Sequence, residues 1–226
     1  MSADFYPAAV EKEGAEKPAA TPIIAVCFHM AGSSRGEYRA IAPELVKLGC
    51  SVLAVDLRSG EGHFLVENQT AASAREKTGK DASYADAYPD IGQAILWARE
   101  LAPKSKVVVI GSSYSASLVL VQAAREPRSV DMVLSFSPGE YIEGWSIAGE
   151  AKKITVPVYI TCGKGEREKN QAQPIAEAID AKLVTLFLPG DDVAAAHGSR
   201  TLLVESEKDR ALQWEKVKAM LARLKT

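Results

Sequence analysis

The sequence predicts an α/β fold: a doubly wound, mostly parallel sheet with helices on both faces and no large cap domain. Three observations predict it. Short, nearly continuous apolar runs recur along the chain, as strands buried on both faces of a parallel sheet require. Segments with helical spacing separate them, so strand and helix alternate. The length, 226 residues, suits one domain with a sizeable core and leaves no room for a large cap.

Residues 1–20, rich in Ala, Glu, Lys and Pro, read as a flexible N-terminal arm or one edge strand, with the folded domain running from 21 to 226. Strand candidates follow at residues 21–30 (TPIIAVCFHM), 51–56 (SVLAVD), 106–111 (KVVVIG), 130–136 (VDMVLSF), 156–162 (VPVYITC) and 182–188 (KLVTLFL). Helical spacing marks residues 37–48, 84–101, 114–125, 171–179 and 205–224. Residues 59–83 break the rhythm, opening with Gly60-Glu61-Gly62-His63 and containing a polar, helix-compatible run at 71–80. An excursion of this length in a compact domain reads as a functional lip, because long structureless loops are uncommon there.

A formal net charge of -2, with lysines and arginines spread along the chain, lacks the basic patch that nucleic-acid binding needs. No apolar run approaches the roughly 18 residues of a membrane helix, and the N-terminus carries no signal-peptide stretch. The expectation is a cytoplasmic protein with no membrane partner. The three cysteines are an odd number, Cys27 and Cys162 fall in apolar runs, and the three histidines are scattered. All three thiols are therefore expected reduced, and no metal site is expected.

Gly111-Ser112-Ser113-Tyr114-Ser115 follows a strand candidate and opens a helix candidate. That is the context in which a G-x-S-x-G-like turn lifts a serine hydroxyl above a sheet, with the free N–H groups of the helix start suited to an oxyanion. Ser115 stands where the second glycine is usual. The bland alternative is that these serines merely cap the helix.

From these residues onward the chain resembles the α/β-hydrolase family, particularly its small lidless carboxylesterase and dienelactone-hydrolase-like members. The resemblance runs from about Thr21 to the C-terminus. Phe28-His29-Met30-Ala31-Gly32-Ser33-Ser34 is similar to the family's His-Gly loop, with Met30 in the glycine's place. It implies an oxyanion hole made by the backbone N–H groups of Ala31 and Tyr114. Asp56-Leu57-Arg58-Ser59-Gly60 resembles a stretch whose aspartate and arginine are structural in the family.

The family's chain order of serine, acid and histidine implies Ser113 as nucleophile and His197, in Ala196-His197-Gly198-Ser199, as general base. His29 and His63 are its rivals. For the acid, Gly163-Lys164-Gly165-Glu166 resembles the family's G-x-x-D turn and implies Glu166. Glu168 and Glu140 compete with it, while Asp191 and Asp192 read as turn formers around Pro189-Gly190.

What the resemblance implies is hydrolysis of small carboxylic esters through an acyl-enzyme, with no cofactor, in a monomer or small homo-oligomer. The partner is then a small-molecule ester. Tyr114, His63, Phe64, Tyr141 and Trp145 are candidates to line its pocket, whereas Arg75 and Lys77 read as a solvated helix face. Three other classes compete. A peptidase or acyl-aminoacyl hydrolase uses the same triad, and amide substrates separate it. A non-catalytic binding module of this fold has no need of serine, acid and histidine in order. A nucleotide-binding α/β protein calls for G-x-G-x-x-G after the first strand, which residues 29–36 do not match.

Overall fold

The computed structural model describes residues 1–8 and 21–225. Its strands, in chain order, are β1 (Ala3–Tyr6), β2 (Ile23–Phe28), β3 (Cys50–Val55), β4 (Gly62–His63), β5 (Val66–Glu67), β6 (Lys106–Ser112), β7 (Met132–Phe136), β8 (Val158–Thr161) and β9 (Val184–Phe187). Seven of them form one sheet in the order β1-β3-β2-β6-β7-β8-β9, and β4 pairs with β5 as a separate hairpin. The β1–β3 pairing is antiparallel and every other pairing in the large sheet is parallel. All six apolar runs predicted as strands are strands of this sheet. The remainder of the N-terminal arm, residues 9–20, lies outside the described residues.

The helices are α1 (Ala42–Lys47), α2 (Gln69–Thr78), α3 (Tyr88–Leu101), α4 (Tyr114–Arg125), α5 (Ile147–Ala151), α6 (Glu166–Glu177) and α7 (Glu207–Ala222). Side-chain alternation along the strands splits the core into two layers. On β2, Ile24, Val26 and Phe28 face a layer completed by Ile91 and Ile95 of α3, Leu118 and Val121 of α4, and Ile175 of α6. Ile23, Ala25 and Cys27 face the opposite layer, with Leu45 of α1 and Val217 and Leu221 of α7. Helix α4 is buried along its whole length except for Arg125, which explains why its sequence is apolar or small nearly all the way round. The three cysteines are free and buried.

Two departures from the expected elements bear on the site. Helix α6 begins at Glu166, five residues before the helical spacing starts at Gln171, because its first turn is charged throughout and carries no apolar signal. Acidic residues in a first turn nevertheless favour the helix through its dipole. The excursion after β3 is structured, folding into the β4–β5 hairpin, α2 and a short 3₁₀ turn at Ala85–Ala87. Among the described residues no cap domain is inserted. The connections that leave β2, β6, β7, β8 and β9 all emerge at the carboxyl ends of the parallel strands, where ligands of such sheets bind.

Candidate active site

The turn between β6 and α4 holds Ser113 at φ 59°, ψ −122°, a conformation that a residue with a side chain rarely adopts. Gly111 makes the turn feasible. A Cβ there would lie 2.5 Å from the carbonyl oxygen of Ser115 and 2.6 Å from the Cα of Ala116, so strand and helix cross too closely for any side chain. Ser113 occupies the position just before the helix, yet its side chain makes no capping hydrogen bond. The bland reading therefore fails for Ser113, whose hydroxyl makes no hydrogen bond among the described residues.

Ser115, which stands in place of the second glycine, is fully buried. Its oxygen accepts the N–H of Ser112 at 2.8 Å, and it lies 2.8 Å from the carbonyl of Phe28 and 2.9 Å from that of Ser112 as acceptors for its proton. The serine thus ties the elbow to the end of β2 instead of crowding it.

His197 follows β9 and lines one cavity of about 340 Å³ together with Ser113, Tyr114 and Glu168. Its neighbours fix it against the elbow. The N–H of Ser199 donates to Ser112 Oγ at 2.9 Å, and the N–H of Gly198 donates to Ser137 Oγ at 2.9 Å. Gly198 has φ 66° and packs so closely on Ser112 that a Cβ would collide with its hydroxyl.

The acid position differs from the expectation. His197 Nδ1 lies 3.1 Å from Glu168 Oε1, whereas Glu166 is 77% exposed and pairs with Lys169 Nζ at 3.0 Å. Both residues are in the first turn of α6, and two helical positions are about 200° apart around the axis, so only one of them can face the site. Reading 163–166 as a turn missed that the helix had already begun. Glu140 is also turned away, accepting the N–H groups of Ile147 and Ala148 at the start of α5. Burial pushes the Glu168 carboxyl up, but His197, the Ser137 hydroxyl at 2.7 Å and the Gly163 N–H at 2.7 Å outweigh it and bring it down to about 2. A carboxylate held ionised against Nδ1 leaves Nε2 as the imidazole's basic nitrogen.

The loop that carries Met30 and Ala31 leaves β2 at Phe28, whose carbonyl is bound by Ser115 Oγ of the elbow. The Met30 N–H is taken by Glu37 Oε2 at 2.8 Å. Among the described residues the N–H groups of Ala31 and Tyr114 donate to no protein group, so both remain open donors. Glu37 is itself buried, and its other oxygen accepts the Ser199 hydroxyl at 2.5 Å, joining this loop to the segment after His197.

A family model described as the dienelactone hydrolase family matches residues 9–224. The chain belongs to that family. Solved structures show the same fold. A dienelactone hydrolase from Anabaena variabilis is 17% identical with a TM-score of 0.69, covering 99% of both chains. A monoacylglycerol lipase from Paleococcus ferrophilus is 14% identical with a TM-score of 0.64, covering 98% of this chain and 99% of that one. An esterase from Pyrococcus furiosus is 18% identical with a TM-score of 0.60, covering 89% of this chain and 82% of that one. No curated protein sequence matches significantly. The family supports an ester hydrolase, and the solved structures show its fold.

His29 and the ion pairs of Asp56 and Arg58 are tied into the scaffold. His29 is buried and held neutral by its burial, its Nδ1 2.8 Å from the Met30 carbonyl and its Nε2 accepting the Leu57 N–H at 3.0 Å. Asp56 pairs with Arg35 and Arg58 with Asp90. Of the five residues expected around the pocket, Tyr114 and Tyr141 line it. His63 and Phe64 sit in the β4–β5 hairpin, and Trp145 packs on Tyr88 and under Arg125. Tyr84, Arg167 and Gln171 line the cavity without having been singled out, since no motif marks them. Among the described residues no three His, Cys, Asp or Glu side chains cluster in a way that would hold a metal.

Proposed function

We propose that the protein is a serine hydrolase that cleaves small carboxylic esters through an acyl-enzyme. The observation that carries this reading is Ser113 held uncapped at a strained elbow, in one cavity with a His197 whose Nδ1 is 3.1 Å from an ionised Glu168. Strain of this kind costs on the order of 1–3 kcal/mol and persists where it serves a site.

His197 Nε2 takes the Ser113 proton as Oγ attacks the ester carbonyl, and Glu168 stabilises the imidazolium that forms. The N–H groups of Ala31 and Tyr114 receive the developing oxyanion. His197 then gives its proton to the departing alcohol oxygen, and water activated by the same imidazole releases the acid. The test is hydrolysis of p-nitrophenyl acetate and butyrate by the native protein beside Ser113→Ala. Turnover that vanishes in a folded alanine variant, with fluorophosphonate labelling at Ser113, upholds the reading. Turnover that survives the substitution removes Ser113 from the mechanism.

A further inference from the structure

We propose that this site takes esters whose acyl group is aromatic, with the ring lying flat on the face of Tyr84 away from Tyr114. The inference rests on the preceding reading, in which Ser113 is the residue acylated. The lining of the cavity is divided by origin. Arg167, Glu168 and Gln171 come from α6, where Glu168 meets His197 and Tyr141 lies near Gln171, whereas Tyr114 and Tyr84 come from the elbow and from the lip before α3.

The chemistry assigns the two halves of the ester to these two linings. His197 must hand a proton to the leaving oxygen, so the alcohol half sits beside the imidazole and the polar wall of α6. The acyl half, on the other side of the reacting carbon, is left to Tyr114 and Tyr84. Tyr84 and Tyr141 also line a second cavity of about 440 Å³ with Ser83, Ala85 and Glu143, so the aromatic wall continues beyond the reacting centre. A cavity on the order of 150 Å³ holds a benzene ring, and about 340 Å³ around Ser113 leaves space for an aryl group and the ester together.

The wall is preorganised for a flat ring. Tyr84 stacks on Tyr114 with ring centroids 4.3 Å apart and planes inclined by 19°. Tyr114 is buried and anchored by its hydroxyl, which donates to the Ser59 carbonyl at 2.8 Å. Tyr84 is 37% exposed and its hydroxyl makes no hydrogen bond among the described residues. One face of its ring is spent on Tyr114, which leaves the face away from Tyr114 to a ligand in the two cavities that Tyr84 lines. A second aromatic ring stacked there gains more than its buried area alone supplies, because the ring quadrupoles favour offset stacking.

Methyl phenylacetate and methyl cyclohexylacetate test this, being alike in skeleton and different in the flatness of the ring. Each kcat/KM is divided by the ester's rate of alkaline hydrolysis. The expected result is a preference for the phenyl ester of about twofold to tenfold, the range an aromatic pair adds. Tyr84→Phe should keep that ratio and Tyr84→Leu should bring it towards one, with circular dichroism showing both variants folded. A ratio of one in the native protein, or a ratio unchanged in Tyr84→Leu, overturns the proposal. Turnover of neither ester overturns it as well, and fluorophosphonate labelling of Ser113, which does not depend on Tyr84, then tells whether the serine-hydrolase reading falls with it.

Discussion

The Ser137 hydroxyl donates to Glu168 Oε2 at 2.7 Å while accepting the N–H of Gly198 at 2.9 Å, so one side chain ties the acid to the loop that carries His197. Ser137 follows β7 with φ 58°, a second strained residue beside the elbow. Its N–H is also engaged, donating to the Thr161 carbonyl at 2.7 Å. Ser137 therefore holds Glu168 and the loop of His197 in a fixed relation to each other.

Removing that hydroxyl should loosen the acid–base pair more than the substrate pocket. Ser137→Ala is expected to lower kcat by about tenfold to a hundredfold, the loss typical of misplacing a catalytic group by about 1 Å, with KM changing little. Ser137→Gly, which suits the positive φ but also lacks the hydroxyl, should lose as much. Steady-state kinetics on p-nitrophenyl acetate across pH 6–9 (about the working range of an imidazole base) would read this, and a native kcat in Ser137→Gly would count against a positioning role.

The assignment of the acid is decided by neutralising each carboxylate in turn. Glu168→Gln removes the anion opposite Nδ1 and presents an amide that favours the wrong imidazole tautomer. A fall in kcat of about 10³–10⁴-fold is expected, as for the corresponding change in a serine protease triad. Glu166→Gln alters an exposed ion pair to Lys169 and should stay within about twofold of the native rate. If Glu166→Gln is the crippled variant, Glu168 is not the acid.

The sequence made legible what depends on local pattern. The six apolar runs are strands because parallel strands buried on both faces need little else, and the elbow shows because Gly111 and the small residues beside it have no substitute where strand meets helix. His197 was legible from its place after the last strand. Glu168 was not singled out over Glu166, since the choice depends on where α6 starts and which way its first turn faces, and a fully charged turn gives no periodic signal. Ser137 and Glu37 were invisible for another reason: their roles are bonds across 31 and 162 positions of sequence, to Glu168 and to Ser199, and only the folded sheet brings those ends together.

The depressed acid carries a signature in stability as well as in rate. Glu168 titrates near 2 in the folded protein against an ordinary value of 4.5. A folded value below the unfolded one means that its contribution is fully present above about pH 5 and is lost as pH falls towards 2. The Tm of the native protein should therefore exceed that of Glu168→Gln by most above about pH 5, and the gap should narrow steadily on acidification. A gap that stays constant over that window would show that Glu168 is not held as a stabilised anion.

Ser115 offers the final prediction, because it replaces a glycine and yet is satisfied on every side. Its oxygen is the partner of the Ser112 N–H, both residues being fully buried, and its proton has the Phe28 and Ser112 carbonyls within reach. Ser115→Ala leaves the same backbone geometry accessible but strips the N–H of its acceptor, an uncompensated buried donor costing about 1–3 kcal/mol. In a chain of this size that corresponds to a fall of about 2–12 °C in Tm. Because the same hydroxyl also reaches the Phe28 carbonyl at the end of β2, and so the loop that presents the Ala31 N–H, kcat should fall together with stability. Urea unfolding and esterase kinetics on the same preparations would read both. A variant as stable as the native protein would mean that the elbow needs only a small residue at this position and makes no use of the hydroxyl.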